Sequence, residues 1–241
     1  MSLPELEQLQ TVIERLGDDS RVEVLTRVGG YPIQGIVVGT EEPEAPCLIL
    51  VGGVHGLERI GTKVVVAYLS TLAERLQWDE LTRNALERSR IAAIPLLNPV
   101  GMRAGTRANG NGVDLMRNGP TLGNGQASWF VGGQRLSPLL PWYMGKKGRF
   151  EPEAEALIRF VADQVVSSSA AIALDVHSGF GFQDRLWFPY AYTRRPFPNT
   201  PEVYALFELL NQTLPNHIYH AEPVSRSYTI QGDLWDFMYD Q

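Results

Sequence analysis

His55 and Glu58 stand three residues apart in Gly-Gly-Val-His-Gly-Leu-Glu-Arg, where the apolar run Leu48–Val51 gives way to glycines. An imidazole and a carboxylate one helical turn apart can share a metal ion, and a catalytic zinc takes three such protein ligands and keeps a fourth position open for water. The same spacing also occurs in ordinary polar loops. A further candidate ligand is His177 in Asp175-Val-His-Ser-Gly, again a histidine where an apolar strand meets glycine. Asp175 or Ser178 can orient its ring, or either can simply cap a loop. His217 and His220, in Asn-His-Ile-Tyr-His, complete the four histidines of the chain. On a strand their rings would point to opposite faces, so both read as polar strand-end residues without metal.

Two strand ends can meet only if their strands share a sheet. Residues 4–17 place Leu6, Leu9, Ile13 and Leu16 at helical spacing and stop at Gly17. Residues 21–40 alternate around Gly29-Gly30, as two strands joined by a tight turn do. Cys-Leu-Ile-Leu-Val-Gly-Gly is the short apolar run of a strand buried on both faces. Helices are expected over 59–76 and 78–90, then a buried strand, Ile-Ala-Ala-Ile-Pro-Leu-Leu-Asn-Pro, closed by Pro99. From Val100 to Arg149 the chain carries fourteen glycines and prolines and little periodicity, the composition of a long functional loop. A helix at 151–167, the strand Ala-Ala-Ile-Ala-Leu-Asp-Val, a loop holding Arg-Leu-Trp-Phe-Pro-Tyr, a helix at 201–214 and a short closing segment follow. This order predicts a single α/β domain over 1–241: an open, mixed, mostly parallel sheet flanked by helices. Ligands of such sheets collect at the carboxyl ends of the strands. His55–Glu58, the Asn-Pro-Val-Gly loop and His177 all fall there.

The bulk numbers agree and exclude some partners. A chain of 241 residues can bury a sizeable core. A net charge of −6 leaves no basic surplus to neutralise phosphates, which excludes nucleic acid and anionic membranes as partners. Cys47, the single cysteine, cannot form an internal disulfide and reads as a buried thiol. The start, Met-Ser-Leu-Pro-Glu-Leu-Glu-Gln, lacks the apolar core of a signal peptide, and no apolar run is long enough to span a bilayer. A cytoplasmic location is the expectation.

Taken in order, "GVHGLE", "NPVGMRAGTRANGNGVDLMRN", "DVHSG" and "YTIQGDLWDFMY" resemble the zinc carboxypeptidases, the carboxypeptidase A-like metallopeptidases, from about residue 45 to the carboxyl end. The resemblance implies that His55, Glu58 and His177 hold one Zn²⁺. It places Arg107 where the family steadies the oxyanion of the tetrahedral intermediate, a task for a fixed cation. It places Arg117, with Asn118, where the family binds the substrate's free carboxylate, a task for a planar fork of donors. Tyr228 matches the mobile tyrosine that closes over substrate. Trp235 lies where the floor of the side-chain pocket is set and offers no counter-charge for a basic residue. Arg103 has no aligned role.

Two departures shape the expectation. The family usually reads Asp-x-Asn-Arg-Asn, whereas this chain has Asp114-Leu115-Met116-Arg117-Asn118. A thioether donates no hydrogen bond, and one lost donor to a charged acceptor weakens binding by about 1.5–3 kcal/mol. The family's general-base glutamate lies on a strand about ten residues past the position of Tyr239, and this chain ends at Gln241. Loss of a positioned acid–base group costs about a hundredfold to ten-thousandfold. Truncation at the carboxyl end, with one or more strands lacking and part of a buried sheet exposed, is the expectation. The function implied is a zinc-dependent hydrolase cleaving a peptide or small amide next to a free carboxylate. Two alternatives stand beside it. One is an acylamino-acid deacylase resembling the aspartoacylase and succinylglutamate desuccinylase group, which Asn109, Gly110 and Asn111 fit equally; the other is a non-catalytic zinc- or peptide-binding pseudoenzyme.

Overall fold

In the computed structural model, which describes residues 3–120, 131–179 and 181–241, the chain begins with an amphipathic helix, α1 (Pro4–Leu16), that turns Leu9, Val12 and Leu16 inward. The predicted hairpin follows as β1 (Ser20–Val28) and β2 (Tyr31–Gly39), antiparallel, with Val28 opposite Tyr31 across a two-residue turn. Next come β3 (Cys47–Gly52), α2 (Arg59–Arg75), α3 (Glu80–Leu86), β4 (Arg90–Ile94), α4 (Pro99–Ala104), α5 (Pro152–Val165) and β5 (Ala171–Val176). Contacts among the described residues cluster into two compact units, and these elements belong to the first, Met1–Asn111 with Phe150–Ser178.

The sheet of the first unit runs β1-β2-β4-β3-β5. β2 is antiparallel to β1 and β4, while β3 is parallel to β4 and β5, so only β2 opposes the common direction. That is the mixed, mostly parallel sheet the apolar runs predict. Its strands alternate between two helical layers. Ile36 and Val38 of β2 pack into one cluster with Leu50 of β3 and with Leu9, Val65 and Leu69 of α1 and α2. An added methyl at Gly35, just before Ile36, would meet the Phe160 ring of α5 instead, at 2.6 Å. Both β3 and β4 are buried nearly throughout.

One local expectation is corrected. Pro99 does not close a strand; β4 ends at Ile94, and Pro99 opens α4, where its missing N–H costs nothing. Asn98 caps that helix by accepting from the Gly101 N–H at 2.8 Å. The strand at 171–176 is not covered. Its outer edge pairs with no strand among the described residues, and Ile172 and Leu174 remain 44% and 37% exposed. Smaller shifts affect α3, which is shorter than the predicted 78–90 helix because Asp79 caps its start, accepting from the Leu81 and Thr82 N–H groups.

The second unit comprises Gly112–Arg149 and Gly179–Gln241. It holds the parallel pair β6 (Arg185–Phe188) and β7 (His220–Pro223), with α6 (Thr200–Thr213), α7 (Val224–Ser227) and α8 (Leu234–Tyr239). Part of the predicted long loop, 121–130, lies outside the described residues. No helix of the described chain is long and apolar enough to cross a membrane.

Candidate metal centre

His55 and Glu58 lie in the turn that carries β3 into α2, and Glu58 is the residue before the first helical turn. The Glu58 N–H donates to the His55 carbonyl at 3.0 Å, folding the turn on itself. Two glycines let its neighbours approach. A methyl at Gly56 would lie 2.0 Å from the Gly101 carbonyl carbon of α4, and one at Gly61 would lie 2.0 Å from the Val176 carbonyl oxygen of β5. Gly61 therefore brings the start of α2 onto the end of β5, next to His177.

The three candidate ligands meet there. One ligand atom from each of His55, Glu58 and His177 lies within 4.8 Å of the others, the single such group among the described residues. The His55 and His177 ring centroids are 4.9 Å apart. Glu58 Oε2 faces His177 Nδ1 at 3.0 Å and accepts the Ser178 N–H at 2.9 Å, while Glu58 Oε1 accepts from Arg107 Nη1 at 3.3 Å. On the far side of the ring, His177 Nε2 meets Asp175 Oδ2 at 2.8 Å. Asp175 and Ser178 thus both act on the site: the first holds the ring, the second binds the carboxylate.

The electrostatics fit a cation. Burial works against a charged His177, but Asp175 and Glu58 reverse that and push its pKa up to about 10. Burial likewise opposes a charged Glu58, yet the His177 hydrogen bond, the nearby His55 and the Ser178 N–H bring its pKa below the ordinary carboxylate value. The centre is arranged to hold positive charge at His177 Nδ1, facing a carboxylate. A divalent metal meets the same demand, and an imidazole anchored by a carboxylate on its other nitrogen is the usual form of a metal-ligating histidine. Two imidazoles and one carboxylate fit zinc with a position left open. Among the described residues neither His217 nor His220 joins such a group; His217 bonds to Asn211 Oδ1 at 2.8 Å and His220 opens β7.

Of the remaining predicted residues, Arg107 stands at this centre. Arg117, Asn118, Tyr228 and Trp235 belong to the second unit. Arg117 is 2% exposed. Its Nη1 donates to Asp114 Oδ2 at 2.8 Å, and its Nε and Nη2 donate to the Val131 carbonyl at 3.2 and 3.0 Å. A buried guanidinium needs such partners, because an unpaired charge in the interior is costly. The Asn118 amide donates to the Met144 carbonyl at 3.0 Å, and the half-buried Met116 directly precedes Arg117 in sequence. Tyr228 meets Trp187 edge to face, with centroids 6.2 Å apart, and Trp235 is half-buried on α8. Sequence reasoning passed over Glu151 and Glu153, buried acids that accept hydrogen bonds from Asn109. Their signal was faint, since acids at a helix start are ordinary.

A mixed α/β sheet with a His–Glu–His group at its strand ends defines a protein of the metal-dependent hydrolase kind. A family model described as zinc carboxypeptidase matches residues 9–241, and the chain belongs to that family. The catalytic chain of carboxypeptidase N from Rattus norvegicus is 27% identical over 156 residues, covering 58% of this chain and 33% of that protein. Carboxypeptidase SOL1 from Arabidopsis thaliana is 29% identical over 96 residues, covering 39% and 20%. The chain thus spans a third or less of the length of these relatives. Among solved structures, carboxypeptidase A from Helicoverpa armigera superposes with a TM-score of 0.78 at 17% identity, covering 100% of this chain and 61% of that one. Bovine thrombin-activatable fibrinolysis inhibitor, in complex with tick carboxypeptidase inhibitor, gives 0.76 at 21% identity, covering 100% and 82%. At such identities these structures speak for the fold.

Proposed function

We propose that this chain carries the metal centre of a zinc-dependent hydrolase that cleaves a peptide or related amide bond next to a free carboxylate. The observation that carries the reading is the convergence of His55, Glu58 and His177 within 4.8 Å, with Arg107 on the same carboxylate. His55, Glu58 and His177 would hold zinc, which when bound polarises the scissile carbonyl and acidifies water. Asp175 holds the His177 ring so that Nδ1 faces Glu58. The Arg107 side chain, about a third exposed, presents a cation where negative charge develops on a carbonyl oxygen.

On the resemblance, Arg117, Asn118, Tyr228 and Trp235 are proposed to bind substrate. A guanidinium has five N–H donors, and among the described residues the contacts to Asp114 and Val131 use three of them. The family match runs through both units, which supports one domain over 1–241. A cytoplasmic location rests on the sequence alone.

Zinc analysis combined with hydrolysis of a panel of N-acyl dipeptides and N-acyl amino acids tests the proposal. One zinc per chain and release of a carboxyl-terminal residue support it. Turnover of N-acyl amino acids alone favours the deacylase reading. Zinc without turnover of any substrate leaves the binding-only reading, and no zinc sinks the proposal.

A further inference from the structure

Arg107 sits on a short loop of the first unit that is tied at both ends. Before it, the Thr106 N–H donates to the Gly101 carbonyl at 2.9 Å, and the Thr106 carbonyl accepts the Leu57 N–H at 3.0 Å. These bonds join the loop to α4 and to the metal-ligand turn. After it comes a polar cluster. Asn109 Oδ1 accepts the Asn111 N–H at 3.0 Å, while Asn109 Nδ2 donates to Glu151 Oε2 at 3.0 Å and approaches both oxygens of Glu153 at 3.2 Å. Asn111 Nδ2 donates to Glu151 Oε2 at 2.6 Å. Asn109, Glu151 and Glu153 are buried.

Two carboxylates side by side in the interior are a costly way to fasten a loop. Burial pushes the Glu153 carboxyl above its ordinary value, and Glu151 adds to the effect against the hydrogen bond from Asn109. Apolar packing would fasten the loop more cheaply but would not fix its register. A charge-assisted bond to a planar amide fixes both distance and direction. What is gained at this spot is the exact seat of the residue two positions upstream, whose Nη1 stands 3.3 Å from Glu58.

We propose that Asn109, Asn111, Glu151 and Glu153 form a polar lock that positions Arg107 against Glu58. Glu151 and Glu153 are positioning residues: they act through the loop and touch neither the metal ligands nor the arginine in any contact described above. The inference rests on the proposed role of Arg107 as the cation facing the developing oxyanion. A displacement of about 1 Å in such a group costs on the order of 10²-fold in rate.

Donor and acceptor exchange provides the test. Asn109→Asp has the same shape, removes both amide N–H donors and sets a third carboxylate beside the two glutamates. With a chromogenic N-acyl dipeptide bearing a free carboxylate, kcat of the zinc-loaded protein is expected to fall about 10²-fold, with zinc content unchanged and KM altered less than about threefold. Adding Glu153→Gln returns an amide donor to the pair, and the double variant should regain about tenfold or more of that loss. In an Arg107→Ala background Asn109→Asp should add less than about twofold, because the two act as one unit. A crystal structure of Asn109→Asp should lack the Arg107–Glu58 contact, which reads the lock without any assay. Rescue and the lost contact support the proposal even where the single variant folds poorly. It is overturned if the contact persists, if Glu153→Gln rescues nothing, or if the loss is as large without Arg107. An Arg107→Ala variant with undiminished kcat, together with a lost contact in Asn109→Asp, would fault the oxyanion reading and leave the lock standing.

Discussion

The two strands that deliver metal ligands are built differently. β3 lies between β4 and β5, is buried at every residue but Leu48, and leads to His55 and Glu58, which are 2% and 6% exposed. β5 has a partner on one side only among the described residues, its apolar side chains Ile172 and Leu174 face outward, and the His177 side chain is 32% exposed. The first pair of ligands is fixed by the core, by a turn closed on its own backbone and by glycines that admit close neighbours. The second is fixed mainly by polar contacts, Asp175 on one ring nitrogen and Glu58 on the other. One site therefore draws on two sources of order, packing for one half and charge for the other, with Glu58 common to both.

Removing the shared residue should have the largest effect. Glu58→Ala takes away one of three ligands and the partner of both His177 and Arg107, and is expected to abolish stoichiometric zinc binding in dialysed protein; zinc retained at one per chain would break the picture. Next comes the packing half. Leu50→Ala on β3 should lower unfolding free energy by about 2–5 kcal/mol in a denaturant titration, as core truncations do. Leu174→Ala on β5 should cost less than about 1 kcal/mol, because its side chain already meets solvent. Equal costs at the two positions would erase the contrast. The charge half is probed by Asp175→Asn, expected to weaken zinc about 10–100-fold in a competition titration while leaving the unfolding midpoint close to the parent's.

The last effect is one of pH. In metal-free protein the His177 pKa is raised from 6.5 to about 10, so the stability its charged ring contributes is fully present below about pH 6.5 and is lost as pH rises through 10. Glu58 and Asp175 face the ring and His55 lies beside it. Thermal unfolding of chelator-treated protein should therefore decline between pH 7 and 10, and zinc-loaded protein should decline less, since a metal at Nδ1 replaces the proton. Parallel slopes in the two forms would count against the ligand assignment.

What could be read beforehand follows the same division. The buried half was legible in part: an apolar run ending in glycines marks a buried strand end, but His-Gly-Leu-Glu also suits a polar loop until a second strand-end histidine joins it, and the mixed sheet follows from such runs in order. His177 was legible as a strand-end histidine, but which strand lies at the edge was not, since an apolar strand looks alike at an edge and in the middle of a sheet. Pro99 was misread because a proline ends a strand and opens a helix equally well, and only the Asn98 cap decides. Arg117 was legible as an arginine in a motif, whereas its burial on Asp114 depends on three-dimensional packing around a short turn. Glu151 and Glu153 were invisible for the same reason: their meaning lies in the asparagines some forty residues away in sequence that reach them.

The most direct test of the whole account is metal analysis of untagged protein alongside His55→Ala and His177→Ala. The account predicts one zinc per chain in the parent and loss of it in each variant, with both variants still folded by circular dichroism. Parent protein that takes up no zinc, or variants that bind it undiminished, would contradict the claim that these residues form a single metal centre.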